Sequence, residues 1–257
     1  MKEFDEFVKI IRILRSENGC PWDREQTHES LRQCMLEEAY EVVDAVDKKD
    51  IDNLREELGD VLLQVVMNGV IAEEKKEFTM EEMIQEVSEK MVHRHPHVFG
   101  TTEVKNSDEV LKNWEELKQK EKKETSVSDS IKRIPLALPA NIRAAKVQKK
   151  AAKVGFDFDN YEEVLSKVYE ELSELEDAKR TGDICKIEEE FGDLLFSVVN
   201  LSRFLQINAE NSLTNATNKF INRFVGVESL ARLENRQLSE LSIDEMNDLW
   251  NRVKESE

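Results

Sequence analysis

A segment of 31 residues occurs twice in this chain. Leu36–Val66 and Tyr169–Val199 lie 133 positions apart, align without a gap and are identical at 14 positions. A repeat of this length indicates that one structural unit is used twice. With 257 residues the chain is long enough for two ordinary domains that each bury a core. The sequence therefore predicts a tandem duplication in which both halves share one fold.

The pattern within both halves is helical. Apolar residues recur every three or four positions, and no stretch sustains an alternation of period two. Only eight glycines and four prolines occur, which favours long helices with few tight turns. Thr79 with Glu82, and Ser242 with Glu245, fit capping boxes at helix starts. We predict an all-α protein, made of two duplicated helical-bundle domains without significant β-sheet.

The composition changes in the middle of the chain. Charged residues give way to a Thr-Ser-Val-Ser-Asp-Ser run and then to two prolines, a composition typical of a linker. We predict an N-terminal helical domain at residues 1–123, a linker at 124–139 and a C-terminal helical domain at 140–257. Within the first domain, a long helix is expected from about Thr27 to Asp47.

Charge and cysteine usage exclude several classes of protein. The formal net charge of −18 argues against a general nucleic-acid binder, because such proteins collect Lys and Arg. No apolar run approaches the length of a membrane span, and the acidic first helix argues against a secretory signal. The three cysteines are scattered and indicate neither disulfides nor zinc. We expect a cytoplasmic protein without nucleic-acid or membrane partners.

Both copies carry four carboxylates with the same spacing. Glu171 and Glu174 lie on one face of a helix, and Glu190 and Asp193 lie on one face of the next. Oxygen ligands without His or Cys suit Mg²⁺ or Mn²⁺. Asp193 interrupts the apolar run 191–199, so we expect it to be buried against a positive group. The first-copy counterparts are Glu38, Glu41, Glu57 and Asp60.

Cationic and aromatic residues also recur. Lys219 with Arg223, and Trp250 with Lys254, are pairs one helical turn apart that are candidates for contacts with phosphate and base. Lys186 lies one turn before the third carboxylate, on the same helical face. Asn53 replaces it in the first copy. The other first-copy counterparts are Lys90, Arg94, Trp114 and Lys118.

Other interpretations of these residues are weaker. An isolated Glu-Glu-x-x-Glu in so acidic a chain is most often a solvated helix face, and its recurrence is what favours a site. His93, His95 and His97 suit no single helical face, which argues against zinc. A di-iron bundle requires two Glu-x-x-His motifs, and only Glu25 with His28 fits.

Glu-Glu-x-x-Glu followed by Glu-x-x-Asp resembles the signature of the MazG family of nucleoside triphosphate pyrophosphohydrolases. The signature occurs twice, over residues 37–60 and 170–193, and the resemblance extends to Gly19–Asp23, Arg94–Phe99 and Val154–Asp157. It implies an all-α bundle that forms a homodimer and binds Mg²⁺, or Mn²⁺, through the repeated carboxylates.

The resemblance also implies a reaction. Nucleoside and deoxynucleoside triphosphates would be hydrolysed to the monophosphate and pyrophosphate, with broad base tolerance, by attack of a metal-activated water on the α-phosphorus. Glu174 is the candidate general base, and the second copy is expected to be the main catalytic one because Asn53 offers no charge. The implied nucleotide contacts are Lys186, Lys219, Arg223, Trp250 and Lys254, and the first-copy residues would form a secondary site.

Two alternatives stay open at this point. One is a non-catalytic helical regulator that senses nucleotides or binds a partner, and the other is a dUTP-selective enzyme of the same bundle class. The assembly is predicted separately, because the apolar stripes over Val61–Val70 and Leu194–Phe204 need more cover than one short neighbour provides. That need predicts a homodimer.

Overall fold

A computed structural model of the chain describes residues 2–121 and 126–256. These residues form thirteen α-helices and one 3₁₀ helix, and no strand occurs among them. The chain divides into two compact units, Met1–Lys122 and Lys123–Glu257. The predicted all-α class is confirmed. Within the described ranges, no helix combines the length and the apolarity needed to cross a membrane.

Seven helices of the first unit are described. They are α1 (Lys2–Leu14), α2 (Pro21–Glu25), α3 (Arg32–Lys48), α4 (Ile51–Lys75), α5 (Met80–Arg94), α6 (Pro96–Phe99) and α7 (Ser107–Glu121). The centre of the unit is the hairpin of α3 and α4. Helices α1 and α5 pack against α4, and α7 packs against α5.

The core of the first unit lies where α1 crosses the second half of α4. Val8 and Ile11 of α1 are buried in one cluster with Val66, Val70 and Ile71 of α4. Burial of each such side chain contributes about 1.5–3 kcal/mol. The second half of the apolar stripe over Val61–Val70 is therefore covered within the chain, whereas Leu62 in its first half is 40% exposed. The need for a partner copy stays a prediction.

The second unit repeats the hairpin with other neighbours. Its helices are α8 (Val127–Lys132), α9 (Ala140–Ala152), α10 (Tyr161–Thr181), α11 (Ile184–Phe204), α12 (Ala209–Leu233) and α13 (Ile243–Glu255), with the 3₁₀ helix at Leu238–Glu240. Helix α10 pairs with α11, and α9 packs against α11 and α12. Helix α12 pairs with α13 around buried Val227, Ala231, Leu241 and Leu249.

The turn inside each hairpin is built the same way. Lys49, the residue after α3, has a left-handed φ of 58°, and the equivalent Gly182 after α10 has a φ of 72°. An aspartate then caps the next helix: Asp50 accepts from the Asn53 amide at 3.1 Å, and Asp183 accepts from the Cys185 amide at 3.0 Å. This short turn fixes the register between the two carboxylate-bearing helices.

The capping boxes are confirmed, but one helix start is wrong. Thr79 and Ser242 accept from the third amide of α5 and α13, and the glutamates there bond back to the cap amides. The helix predicted from Thr27 begins instead at Arg32. Thr27 and Ser30 exchange bonds between amide and hydroxyl at 2.9 and 3.2 Å, and such local bonds compete with helix formation.

The predicted linker over 124–139 also differs from the structure. Ser126 accepts from the Asp129 amide at 3.1 Å and thereby starts α8, which packs against α9. Ile134, which follows α8, is 6% exposed. This part of the stretch therefore belongs to the second unit, because the Ser-rich run supplies a helix cap and an apolar anchor. Residues 124 and 125 lie outside the described residues.

Candidate functional site

Three carboxylates meet between the paired helices of each unit. In the second unit, one oxygen each from Glu171, Glu174 and Glu190 lies within 4.8 Å of the other two. Glu171 and Glu174 are one turn apart on α10, and Glu190 faces them from α11 because the hairpin turn sets that register. The structure thus brings together three of the four predicted ligands. The matching first-unit residues are Glu38, Glu41 and Glu57.

The fourth carboxylate lies beside the triad in a different environment from the one predicted. Asp193 is exposed, and it shares the lining of a cavity with Glu171. The expectation that it is buried against a positive group is wrong. The apolar run around it is not core on all sides, since Phe191 and Leu195 are 52% and 49% exposed. This carboxylate is therefore solvated, and no ion pair to it is found among the residues that the structure describes.

Like charges and burial perturb both triads. Desolvation, followed by repulsion from Glu171 and Glu190, raises the pKa of Glu174. Desolvation also raises the pKa of Glu57, with a further contribution from its hydrogen bond to Glu41. Ionising all three groups is therefore unfavourable in the isolated chain. A divalent cation fits this set of hard oxygen donors, because it would offset the repulsion that raises these pKa values.

Lys167 is a neighbour of the triad that sequence reasoning missed. Its Nζ lies 2.7 Å from Glu170 Oε1 and 2.7 Å from Glu171 Oε1. These carboxylates raise the pKa of Lys167 well above its usual value. A signal was present, since Lys167 lies one turn before Glu171 and the repeat places Cys34 at the equivalent position. Within residues 2–121 and 126–256, the second triad therefore has a lysine against it and the first triad has none.

The predicted cationic and aromatic residues form a second group. The guanidinium of Arg223 lies 5.8 Å from the centroid of the Trp250 ring, and Phe220 packs on the same indole at 5.2 Å. In the first unit Arg94 stands 6.0 Å from the Trp114 ring. The contact between arginine and indole thus recurs in both copies.

This second group is not assembled on the carboxylate hairpin. The principal neighbours of α12 are α13 and α9 rather than α10 or α11. Lys219 and Lys254, which belong to the predicted set, are exposed on α12 and α13. In the first unit, Lys90 is exposed and pairs with Glu86 at 3.6 Å, and Lys118 is half-buried.

Lys186 stands at the start of α11 on the surface of the second unit. Its side chain is exposed, and among the described residues it makes no ion pair. The plain alternative for this lysine, a surface pair with Glu190, is therefore not formed. Its role toward substrate stays a prediction.

Comparison with known proteins decides the family. A model of the MazG nucleotide pyrophosphohydrolase domain matches residues 26–99 and, a second time, residues 159–226. The chain belongs to the MazG family. Both matches contain a complete carboxylate triad, so the geometric repeat and the family repeat coincide.

Relatives of similar length cover almost the whole chain. The nucleoside triphosphate pyrophosphohydrolase/pyrophosphatase MazG of Thermotoga maritima is 46% identical over 251 residues, which are 98% of this chain and 95% of the relative. A nucleoside triphosphate pyrophosphohydrolase of Escherichia coli K12 is 42% identical over 260 residues, covering 100% and 99%. A solved MazG-related protein from Thermotoga maritima is 33% identical, covers 46% of this chain and 99% of its own, and gives a TM-score of 0.39.

The MazG resemblance, the duplicated all-α fold and the enzyme class are therefore confirmed. The individual residue roles, the metal and the homodimer stay predictions. The matched ranges contain both triads and cover α3 to α6, α10, α11 and most of α12. Helices α7 and α13, which carry Trp114 and Trp250, lie beyond the matched ranges.

The repulsion inside the triad leads to a prediction about stability. Because the pKa of Glu174 is raised from 4.5, its ionisation opposes folding at neutral pH, and the penalty vanishes below that value. We expect Glu174→Gln to raise the unfolding temperature at pH 7 in EDTA, and this gain to disappear as the pH falls below about 4.5. Mn²⁺ should stabilise the wild type more than the variant.

Thermal unfolding monitored by circular dichroism checks this expectation. Glu188→Gln removes one charge from an exposed position of α11 and serves as the matched control. A Glu174→Gln protein that is less stable than wild type in EDTA, or that keeps the full Mn²⁺ response, would contradict the assignment of this residue to a metal-binding triad.

Proposed function

We propose that this chain is a Mg²⁺-dependent nucleoside triphosphate pyrophosphohydrolase. It converts nucleoside and deoxynucleoside triphosphates to the monophosphate and pyrophosphate. The observation that carries the proposal is the carboxylate triad with raised pKa values, repeated inside both MazG domains. The names of the full-length relatives support the same reaction.

The triad would hold the metal. Glu171, Glu174 and Glu190 supply the oxygen ligands, and Asp193 stands close enough to Glu171 to share the lining of one cavity. Mg²⁺, when bound, offsets the charge of the triphosphate and lowers the pKa of the attacking water. Mn²⁺ satisfies the same donor set. The chain itself contributes a preformed carboxylate cluster, and the repulsion among these carboxylates would be relieved when the metal binds.

Proton transfer falls to one member of the triad, and a lysine beside the triad stabilises the developing charge. Glu174 is the proposed proton acceptor, because desolvation and its acidic neighbours raise its pKa and make it a stronger base. Lys186 is exposed on the carboxylate face of α11, where its ammonium group would contact a phosphate oxygen. Hydrolysis at the α-phosphorus would thus place developing negative charge between a metal and a lysine.

The arginine and tryptophan pairs would bind the rest of the nucleotide. Arg223 and Lys219 supply positive charge for phosphate, and the Trp250 indole supplies a stacking surface. Stacking on an indole tolerates every base because each base has an aromatic face. This arrangement supports broad base tolerance. At the secondary site of the first unit, Arg94 would contact phosphate and Trp114 would stack on the base.

The two units leave apolar rows uncovered at equivalent positions. On α11, Phe191 and Leu195 are 52% and 49% exposed, and the matching Leu58 and Leu62 on α4 are 53% and 40% exposed. Soluble proteins rarely expose contiguous apolar patches of this kind unless another surface covers them. A second copy of the chain presents the same rows and is self-complementary. We infer that the protein is a homodimer.

The central prediction is metal-dependent release of pyrophosphate. With a panel of ribo- and deoxyribonucleoside triphosphates and Mg²⁺, we expect pyrophosphate and monophosphate as products, and excess EDTA should stop the reaction. Coupled pyrophosphate detection and ³¹P NMR measure both products. Full activity in excess EDTA would show that the reaction needs no metal. No hydrolysis of any nucleotide would favour a regulator, and turnover confined to dUTP would favour a selective enzyme.

The two copies should be unequal. Glu174→Gln is expected to abolish most pyrophosphate release, whereas Glu41→Gln should leave most of it. Lys186→Asn, which installs the first-copy residue, should lower kcat by ~10²–10³, the usual effect of losing one donor that stabilises a transition state. Lys179→Asn, at an exposed position of α10, is the matched control. Loss of activity only in Glu41→Gln would reverse the assignment of the copies.

The assembly is tested by solution mass. Static light scattering should report twice the chain mass of 29.9 kDa at micromolar concentration. Leu195→Glu places a charge in the exposed row of α11 and should shift the protein toward the monomer. Leu233→Glu, at an isolated position that is 78% exposed, should leave the mass unchanged. A stable wild-type monomer would refute the dimer.

A further inference from the structure

A small cavity lies beside the carboxylate triad of the second unit. Its volume is about 140 Å³, and it lies between the first half of α10, the second half of α11 and the segment that precedes α10. Phe158, Val164 and Phe196 form apolar walls. Ser197 and Asn200 form a polar edge, and Lys167, Glu171 and Asp193 complete the end next to the triad.

Asn200 is held so that it offers a donor. Its Oδ1 accepts from Nε and Nη2 of Arg203 at 3.2 and 2.9 Å, and Arg203 is in turn paired with Asp157. Arginine only donates, so the oxygen of this amide must face Arg203 and the NH₂ group must face away. Among the described residues the NH₂ group has no acceptor. An amide donor fixed in this way is preorganised for a ligand oxygen.

The size and the position of the cavity restrict what it can hold. Pockets for complete drug-sized ligands span about 300–1,000 Å³, so this cavity suits a single ring. It begins at Glu171 and Asp193, where the proposed function puts the metal and the phosphates. The sugar is the ring bonded next to the α-phosphate. A pentose also has an apolar C–H face and a hydroxyl edge, which match the walls and the polar edge.

We propose that this cavity binds the sugar of the nucleotide and that Asn200 donates a hydrogen bond to the 3′-hydroxyl. Ser197 lies one turn before Asn200 and contributes its hydroxyl to the same edge. Arg203 acts as a positioning residue, because it orients the amide and does not line the cavity. This inference rests on the proposed function, since it needs a nucleotide at the triad.

The first copy lacks this arrangement at the matching positions. Met67 stands where the second copy has Asn200, Cys34 where it has Lys167 and Val70 where it has Arg203. Met67 and Val70 are buried in the apolar cluster against α1. The repeat therefore suggests the substitution Asn200→Met, because helix α4, the counterpart of α11, already carries a methionine at the matching position.

The test removes the hydroxyl and the amide separately and together. Wild type and Asn200→Met are each assayed with the deoxynucleoside triphosphate that is hydrolysed fastest and with its 2′,3′-dideoxy counterpart. We expect wild-type kcat/KM to fall roughly 10-fold to 100-fold without the 3′-hydroxyl, the range for a donor left unpaired. Asn200→Met should show the same loss with the deoxynucleotide and no further loss with the dideoxynucleotide.

Controls separate this effect from folding and from the general reaction. Leu205→Met introduces the same side chain at the exposed position that follows α11, and this variant should discriminate between the two nucleotides as wild type does. Arg203→Lys should weaken the discrimination between the two nucleotides, because lysine lacks the planar pair of donors that orients the Asn200 amide. Affinities for non-hydrolysable α,β-imido analogues, measured by calorimetry, should follow the same pattern as kcat/KM.

The outcomes differ from those of the proposed function. The sugar site is overturned if the wild-type protein hydrolyses the deoxynucleotide and the dideoxynucleotide equally well. It is also overturned if the Asn200→Met protein still discriminates between these two nucleotides. The Asn200→Met protein could instead change its preference among bases and keep its discrimination at the 3′-position. That result would assign the cavity to the base and would also overturn the proposal. Failure of the proposed function would appear instead as no hydrolysis of any nucleotide by wild type.

Discussion

Repulsion among three carboxylates is the constraint around which each half of this protein is built. Glu171, Glu174 and Glu190 face one another across a helix hairpin, and desolvation, followed by the charges of its two neighbours, raises the pKa of Glu174. Such a cluster opposes the pairing of its own helices. The turn capped by Asp183 and the apolar contacts of the hairpin must therefore hold it together. A cation at the triad would offset this repulsion, so the free energy of the repulsion would add to the affinity for the cation.

Duplication preserved the backbone of this arrangement and changed its chemistry. The turn, the triad and the contact between arginine and indole recur in both units. What differs is the immediate surroundings: Lys167 and Asn200 beside the second triad correspond to Cys34 and Met67 in the first. The first unit uses that space for apolar packing under α1. The same fold thus carries a polar cavity lining in one copy and additional apolar core in the other.

Much of the molecule followed from the order of its residues. Helical periodicity, the capping boxes and the spacing of the triads depend on neighbours within one or two turns, so the all-α fold and the duplicated carboxylates were predictable. Membership of the MazG family was predictable for the same reason, because its signature is local. The start of α3 was predicted wrongly even though its cause is local, since hydroxyl groups there compete with the helix.

Tertiary structure alone decided which side of each helix meets another element. Periodicity identifies an apolar face but not its partner. The second half of Val61–Val70 packs under α1, whereas Leu62 in its first half is exposed. Asp193 was expected in a core and lies in solvent. The cavity edge formed by Asn200 depends on Arg203 and Asp157, which are 46 positions apart in the chain. The sequence by itself determined the helices, the repeat and the carboxylate sets; packing between distant segments determined their environments, because burial and pairing are properties of neighbours that the local pattern does not specify.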